Sequence, residues 1–205
     1  MFDVTVGAAA LILLLPIALA AALVVKLFDG GPVWFVQERT GQDGRRFRAL
    51  KFRTMTAGRR PDPDEIVGSE HAEVTWVGKA LRRFRIDEVP QLINVLRGEM
   101  SLIGPRPTLP EQTDGYDVFA RERLRVRPGL TGLAQVNGNT SIPWAERIRY
   151  DVHYVRHGGF WMDLGILCKT VAVVLLGERR FARPFDSSRY ARREMSCMKG
   201  SEVAK

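Results

Sequence analysis

The sequence predicts an α+β protein in which an N-terminal apolar membrane helix is attached to a compact, basic body of mixed helices and strands. Two observations indicate this fold class. Between Asp3 and Lys26 the 205-residue chain carries 22 consecutive uncharged residues. The rest of the chain combines β-prone stretches with helical patterns, separated by segments rich in Gly and Pro. No repeat period is present, and nothing indicates a doubly wound sheet.

The uncharged run is long enough to cross a bilayer. A helix of this length measures about 33 Å, against about 30 Å for the hydrocarbon core. Pro16 lies near its middle and predicts a kink, because proline removes a backbone donor and clashes with the preceding turn. The N-terminus lacks the basic stretch of a signal peptide, and the basic residues that follow Lys26 place the body in the cytoplasm. The residues themselves leave three arrangements open: a spanning helix, a re-entrant helix and a buried core helix.

The body is predicted to begin with a β-hairpin. Residues 33–36 and 47–54 are β-prone, and residues 41–44 form a turn-rich connector. Residues 57–72 are rich in Pro, Gly and charge and predict a loop. A helix is expected from Ile86, with Asp87 as its cap. Residues 160–177 predict a second apolar helix that either packs on the body or lies at the membrane interface.

The charge balance requires an anionic partner. Lys and Arg number 31 against 23 Asp and Glu, a formal net charge of +8. Nucleic acid, a phosphorylated small molecule and an anionic membrane surface all satisfy this charge. The aromatic residues are not interleaved with the cations as in RNA-binding motifs, so we do not expect a nucleic-acid partner. His153 and His157 have metal-ligand spacing but lack further ligands nearby, and the dinucleotide, P-loop and hydrolase motifs are absent.

Asp87 and Glu88 are the strongest candidates for chemistry. The pair follows a basic segment that contains Lys79, Arg82 and Arg85. Carboxylates beside cations suit phosphoryl transfer, because a carboxylate can attack phosphorus or hold Mg²⁺ while the cations neutralise phosphate oxygens. The alternative is an ordinary acidic first turn of a helix.

Other cations form less specific patterns. Arg106 lies between two prolines, which restrict the backbone and present an anion-binding guanidinium. Lys51 lies in a basic strand at residues 45–53. The arginines at positions 121, 123, 125 and 127 alternate with other residues and predict either a strand face or an exposed helix.

Read in order, the motifs of this chain resemble those of a known family. They are the apolar helix with its central proline, GGPVWFVQERTGQDGRRFRALKFRTM, IDEVPQLINVLRGEMSLIGPRP, RPGLTGLAQVNG, the YDVHYV stretch and FWMDLGIL. Together they cover residues 1–178 and resemble the bacterial sugar transferases, specifically the small PglC-like monotopic polyprenyl-phosphate phosphoglycosyl transferases.

The resemblance implies an activity and an architecture. The family transfers a phosphosugar from a UDP-sugar to undecaprenyl phosphate, releasing UMP and starting glycoconjugate or exopolysaccharide synthesis. Its N-terminal segment is a re-entrant helix-break-helix in the bacterial inner membrane, with the catalytic body and its interfacial amphipathic helices on the cytoplasmic face against anionic lipid. We therefore expect a re-entrant helix at residues 1–28, a catalytic domain at 29–178 and a basic tail at 179–205. A non-catalytic scaffold of a polysaccharide assembly complex is the alternative.

The resemblance also implies residue roles. Asp87 is expected to be the nucleophile that forms a covalent phosphosugar intermediate and to contact Mg²⁺, with Glu88 assisting as a base. The expected substrate-binding residues are Lys51, Arg82, Arg106, Gln135 and Asn137. Two positions depart from the family pattern: Leu15-Pro16 replaces Ser-Pro at the helix break, and Asn139 replaces an arginine after Asn137-Gly138.

Overall fold

The structure is a computed structural model that describes residues 2–56 and 71–191. It is a mixed helix and sheet protein, as predicted. Helix α1 (Phe2–Phe28) precedes a hairpin of β1 (Trp34–Thr40) and β2 (Arg46–Phe52), which lies beside helices α2 (Trp76–Arg83) and α3 (Gln91–Leu96). The loop predicted at 57–72 falls outside the described residues except for its last two positions.

Helix α1 is one continuous helical element, although Pro16 lies inside it. The expected division into two helices is therefore not seen in the secondary structure. A proline inside a helix removes a single hydrogen bond, and here the helix continues past it. It is the one helix in the described ranges that is long and apolar enough to span a membrane. One stripe of α1 contacts the body, and most of its remaining surface is exposed. The stripe consists of Gly7, Ala10, Leu11, Leu14, Ala18, Ala21 and Val25.

Both ends of α1 are bonded to the body. Asp3 accepts hydrogen bonds from the hydroxyl of Ser101 at 2.9 Å and the backbone N–H of Leu102 at 3.2 Å. It also forms a 2.9 Å ion pair with Arg127. Just beyond the other end, Asp29 accepts a 3.0 Å hydrogen bond from Thr75. The body thus contacts the helix along its full length.

The predicted hairpin is confirmed. Strands β1 and β2 pair antiparallel with Trp34 opposite Phe52 and Thr40 opposite Arg46. In the connecting turn Asp43 has φ +54° and Gly44 φ +78°, left-handed values that aspartate and glycine tolerate. The fully buried Asn94 of α3 braces β2 by hydrogen bonds with the backbone of residues 48 and 50.

The helix expected from Ile86 begins later. Residues Ile86–Glu88 form a 3₁₀ turn, and α3 starts at Gln91. Pro90 lacks the N–H that an α-helix through Ile86 requires, so the turn closes with hydrogen bonds between residues three apart instead of four. Asp87 is therefore inside the turn rather than its cap, and Arg85 occupies the preceding position with φ +55°.

A small parallel sheet joins two Gly- and Pro-rich loops. Strand β3 (Ser101–Ile103) pairs with β4 (Gly129–Thr131). The loops meet so closely that a Cβ on Gly129 would lie 2.0 Å from the backbone nitrogen of Gly104. Between these strands lie the short helices α4 (Pro110–Asp114) and α5 (Val118–Arg121). This close approach fixes the backbone that leads into Arg106.

The C-terminal half consists of α6 (Trp144–His157) and α7 (Phe160–Leu176). Ile166 and Val173 of α7 are buried, whereas Trp161 and Leu175 are exposed, so the predicted second apolar helix exists and packs one face on the body. Residues 179–191 also pack on the body: Phe185 is buried against Tyr150, with ring centroids 5.0 Å apart. The rest of the expected tail, residues 192–205, lies outside the described residues.

Candidate active site

Asp87 and Glu88 lie side by side in the 3₁₀ turn between α2 and α3. Both are buried, with 8% and 6% of their surface exposed. Arg85 lies between α2 and this turn, and its left-handed backbone conformation changes the direction of the chain there. The turn thus presents two neighbouring carboxylates to the hairpin and to the loop that carries Arg106.

Glu88 is held by cations. Its Oε1 receives Lys51 Nζ at 2.7 Å and Arg106 Nη2 at 2.5 Å. Arg85 Nη1 lies 3.7 Å from Oε2. Burial alone would raise the pKa of Glu88, but Arg106 and Lys51 outweigh it and hold the pKa well below its ordinary value. Glu88 is therefore ionised and fully occupied.

Asp87 has different surroundings from its neighbour. Within the described ranges no group donates a hydrogen bond to its carboxylate, although the cations Lys51, Arg106 and Arg82 act on it electrostatically. Burial and the charge of Glu88 raise its pKa above the ordinary value, against the opposing pull of nearby cations. A raised pKa makes a carboxylate more basic, so Asp87 is the member of the pair that is not paired with a cation and is suited to attack.

Three predicted cations come together around the pair. Lys51 and Arg106 contact Glu88, and Arg82 interacts electrostatically with both carboxylates while it donates a 2.9 Å hydrogen bond to Thr54. Burial lowers the pKa of Lys51 and of Arg82, whereas Glu88 raises that of Arg106. Such a concentration of partly desolvated cations favours an anionic ligand.

Arg39 is a further cation of this site that the sequence patterns did not single out. Burial and repulsion from Arg106 lower its pKa to about 10. It donates hydrogen bonds to the Pro107 carbonyl at 3.4 Å and to Gln37 at 2.6 Å. The hairpin register could have identified Arg39. Phe35, Gln37 and Arg39 are spaced two residues apart on β1, and Phe35 pairs with Lys51 on β2. Alternation along a strand places Arg39 on the same face as Lys51.

Gln135 and Asn137 occupy a separate buried turn. Gln135 donates to the Leu130 carbonyl at 3.0 Å, and its own carbonyl oxygen is buried without a partner among the described residues. Asn137 donates to the Leu133 carbonyl at 2.7 Å and accepts from Lys169 at 2.6 Å. Neither contacts the carboxylate pair in the described part of the chain. Their predicted role in substrate binding stays a prediction.

Asn139, the residue that replaces an arginine of the family pattern, links this turn to the carboxylates. Asn139 has a left-handed φ of +44° and donates a 2.9 Å hydrogen bond to Glu178. Glu178 also accepts from Thr140 and, at 3.0 Å, from Arg85. Because Arg85 faces Glu88, a continuous polar chain runs from Asn139 through Glu178 to the site. Glu178 was not predicted, and no motif in the sequence identifies it.

Arg123 positions the backbone of Arg106 from behind. It is 3% exposed, so the expectation of a strand face or an exposed helix is wrong for this residue. Its guanidinium donates to Arg106 O at 2.9 Å, to Tyr116 Oη at 2.5 Å and to Asp151 Oδ2 at 2.5 Å. A buried guanidinium requires such partners, and they place it inside the body rather than on its surface.

Asp87 is the candidate metal ligand in the described residues. No group of three or more Asp, Glu, His or Cys side chains lies together in ranges 2–56 and 71–191. Mg²⁺ does not require such a cage, because it is commonly bound by one or two carboxylates together with substrate phosphates and water. Glu88 is bound by cations, whereas the carboxylate of Asp87 accepts no hydrogen bond in the described residues and fits the role of a single protein ligand.

A buried carboxylate pair among cations, on a body attached to a long apolar helix, is the arrangement of a protein associated with a membrane. The comparisons with known proteins are more specific. The family described as Bacterial sugar transferase matches residues 1–177, and the chain belongs to this family.

Three relatives illustrate the similarity. The chain is 40% identical over 190 residues to the exopolysaccharide production protein ExoY of Sinorhizobium fredii, covering 85% of this chain and 84% of the relative. It is 42% identical over 182 residues to the uncharacterized sugar transferase EpsL of Bacillus subtilis, covering 87% of each. It is 41% identical over 189 residues to the UDP-glucose:undecaprenyl-phosphate glucose-1-phosphate transferase of Caulobacter vibrioides, covering 87% of this chain and 70% of that protein.

Proposed function

We propose that this protein transfers a sugar phosphate from a UDP-sugar to undecaprenyl phosphate, releases UMP, and thereby starts the synthesis of an exopolysaccharide or related glycoconjugate. The observation that carries the proposal is the contrast within one buried pair between Asp87, which has no hydrogen-bonded cation in the described residues, and Glu88, which binds Lys51 and Arg106. The names of the relatives, two of which specify exopolysaccharide production or undecaprenyl-phosphate transfer, support the substrate classes.

The reaction proceeds in two displacements at one phosphorus. Asp87 attacks the sugar-bearing phosphorus of the UDP-sugar, the bond to the bridging oxygen breaks, and UMP leaves with the electron pair. An oxygen of undecaprenyl phosphate then attacks the aspartyl-linked phosphorus, and the Asp87 carboxylate is released. Lys51 and Arg106 neutralise charge on the phosphate oxygens in both steps. The covalent intermediate allows one site to accept two dissimilar phosphates in turn.

Glu88 contributes chiefly through the cations that it binds. Its 2.7 Å and 2.5 Å contacts orient Lys51 and Arg106 beside Asp87. The same contacts disfavour a proton on Glu88, so positioning is its better-supported role. The base role implied by the resemblance stays a prediction.

Mg²⁺ is the proposed cofactor, with Asp87 as its protein ligand. When bound, the ion supplies Lewis-acid neutralisation of the diphosphate. Arg82 and Arg106 then hold the flanking oxygens of the substrate, and the buried turn keeps Asp87 oriented toward it.

We propose that α1 is re-entrant and that the body lies on the cytoplasmic face of the inner membrane. A helix of 27 residues is about 40 Å long. Asp3 near one end and Val25 near the other both contact the same body. A straight spanning helix would carry one end across the bilayer and away from that body, so these contacts favour a helix that enters and leaves on one side.

The exposed apolar surface supports a monotopic attachment. It includes most of the outer face of α1, the outer face of α7, and three aromatic residues near the end of α1: Phe28, Trp34 and Trp76. Aromatic side chains of this kind concentrate at membrane interfaces. The basic cytoplasmic body next to this surface suits anionic lipid.

A cysteine-labelling experiment tests the topology. A cysteine introduced at residue 2 in a variant lacking the two native cysteines is expected to react with a membrane-impermeant maleimide only after the inner membrane is permeabilised. A cysteine in place of Asp114, an exposed residue on the body, serves as the matched cytoplasmic control. Labelling of residue 2 from the periplasm of intact spheroplasts contradicts the re-entrant arrangement.

Turnover with purified components tests the reaction. The protein in nanodiscs is expected to release UMP continuously from at least one UDP-sugar when undecaprenyl phosphate and Mg²⁺ are both supplied. Without undecaprenyl phosphate, release is expected to stop after about one UMP per protein molecule, and EDTA is expected to stop it altogether. The scaffold alternative predicts no release with any UDP-sugar and normal polymer production in cells that carry Asp87→Asn at wild-type protein levels. That pair of results would reject the transferase.

A further inference from the structure

Arg147 is a half-buried arginine with one buried donor, Nε, that has no partner in the described part of the chain. It lies in the first turn of α6, and its guanidinium carbon is 4.8 Å from the ring centroid of Trp144. Among the described residues its Nε is buried and has no hydrogen-bond partner. In the same part of the chain its side chain donates no hydrogen bond and forms no ion pair within 4 Å. A buried N–H donor without a partner is unfavourable, and the guanidinium has further donors that a ligand can use.

Three neighbouring arginines form ion pairs with carboxylates. Arg106 is bound to Glu88, Arg123 to Asp151, and Arg149 to Asp186. Arg147 instead faces Arg123 and Arg106, with Asp151 and Glu178 as the acids that offset them. Burial and the charge of Arg123 lower the pKa of Arg147. This local excess of positive charge is relieved when an anion binds.

The position of Arg147 relative to the carboxylates indicates which anion. The ring of Trp144 also contacts Arg123, whose guanidinium carbon is 5.3 Å from its centroid, and Arg123 donates a 2.9 Å hydrogen bond to the Arg106 carbonyl. Arg106 in turn contacts Glu88 at 2.5 Å. A diphosphate has two anionic groups, so when its sugar-bearing phosphorus faces Asp87, the other phosphate is available to a second cation near Arg106. The cation–π contact with Trp144 restricts the guanidinium, and a restricted guanidinium is suited to bidentate contact with phosphate oxygens.

We propose that Arg147, held on the ring of Trp144, binds the phosphate of the nucleotide leaving group. This inference rests on the proposed transferase function and assigns the substrate's second phosphate to a residue outside the carboxylate cluster. The role is one of binding: Arg147 orients the diphosphate and stabilises the charge that develops on UMP as it departs.

Calorimetric titration of the nanodisc-embedded protein with UDP and with uridine tests the assignment. Arg147→Gln is expected to weaken UDP binding about 10- to 100-fold, the loss of a charged hydrogen-bond pair. Arg147→Lys is expected to recover part of it. Uridine, which lacks phosphate, is expected to bind all variants equally. Arg156→Gln, which removes an arginine of the same helix that is paired with Glu122, is the matched control and is expected to bind UDP like wild type.

Each outcome separates this inference from the proposed function. Unchanged UDP affinity in both Arg147 variants overturns the inference, as does an equal loss of UDP and uridine affinity, which indicates collapse of the pocket. If the wild type releases no UMP but loses UDP binding on substitution of Arg147, the phosphate subsite stands and the transferase function fails. If Arg147→Gln does not fold, Arg147→Lys alone decides: wild-type UDP affinity in that variant contradicts bidentate binding.

Discussion

Replacing Asp87 by asparagine is expected to reduce UMP release by about 10³-fold or more, because the nucleophile of the first displacement is lost. The substitution preserves size and removes only the negative charge and the attacking oxygen. The surrounding cations lose one acid of the pair, yet Glu88 still binds Lys51 and Arg106, so the protein is expected to fold normally. Steady-state UMP release at saturating UDP-sugar measures the effect.

The matched control for this prediction is Asp114→Asn, which removes an exposed carboxylate on α4 and is expected to leave turnover unchanged. Mass spectrometry of the wild type, quenched with UDP-sugar and without undecaprenyl phosphate, is expected to detect one added phosphosugar that the Asp87→Asn variant lacks. Wild-type turnover in the variant, or an adduct at another residue, contradicts the assignment of Asp87.

The pH dependence provides an independent signature of the same carboxylate. Burial and Glu88 raise the pKa of Asp87, and only the ionised form attacks phosphorus. Activity is therefore expected to fall, as the pH is lowered, at a higher pH than an ordinary aspartate would dictate. Glu88 stays ionised throughout that range because its pKa is well below the ordinary value.

The sequence was sufficient to predict the hairpin and the residues that gather at the site, but not the 3₁₀ turn that carries Asp87 and Glu88. The hairpin follows from β-prone stretches on either side of a turn, and the cations Lys51, Arg82 and Arg106 converge on Asp87 and Glu88 as the motifs imply. These features depend on short-range signals or on long motifs in a fixed order. Each is legible in a single sequence.

What the patterns did not indicate depends on contacts between distant segments. Arg123 resembled a surface cation in an alternating run, but its buried position is set by Asp151, 28 residues later. Glu178 and Arg85 meet across 93 residues. The contrast between Asp87 and Glu88 arises because the fold places Lys51 and Arg106 on one carboxylate and not the other. Composition and periodicity carry no information about which distant residues pair.

The polar chain from Asn139 through Glu178 and Arg85 explains how one departure from the family pattern, Asn139 in place of arginine, acts on the site. An arginine at position 139 would meet Glu178 as a cation, whereas Asn139 makes a neutral hydrogen bond and leaves Glu178 available to Arg85. Arg85 is thereby shared between Glu178 and Glu88. The change at position 139 thus reaches the site through charge balance rather than through direct contact with the carboxylates.

Removing Arg123 is expected to have the largest effect on stability. Arg123→Met leaves Asp151 buried without its ion-pair partner, a change that typically costs about 3–5 kcal/mol. Arg125→Gln removes an exposed arginine of the same turn and is expected to change stability by less than about 0.5 kcal/mol. Thermal unfolding in nanodiscs, followed by tryptophan fluorescence, measures both variants.

The cost in Arg123→Met is expected to decrease as the pH is lowered. Burial raises the pKa of Asp151 even beside Arg123, and removing that cation raises it further. A carboxyl whose pKa is higher in the folded than in the unfolded state binds more protons when folded, so the variant gains stability relative to wild type as the pH falls through that folded-state pKa. A cost independent of pH contradicts the unpaired-charge explanation.

The double variant Arg123→Met with Asp151→Leu separates stability from positioning. Replacing both charges by apolar groups is expected to recover most of the lost stability, because the unpaired buried charge is gone. Turnover is expected to stay reduced, since the carbonyl of Arg106 still lacks its donor and the guanidinium that contacts Glu88 is no longer fixed from behind. If stability and turnover recover together, Arg123 acts only through the folded state and does not position Arg106.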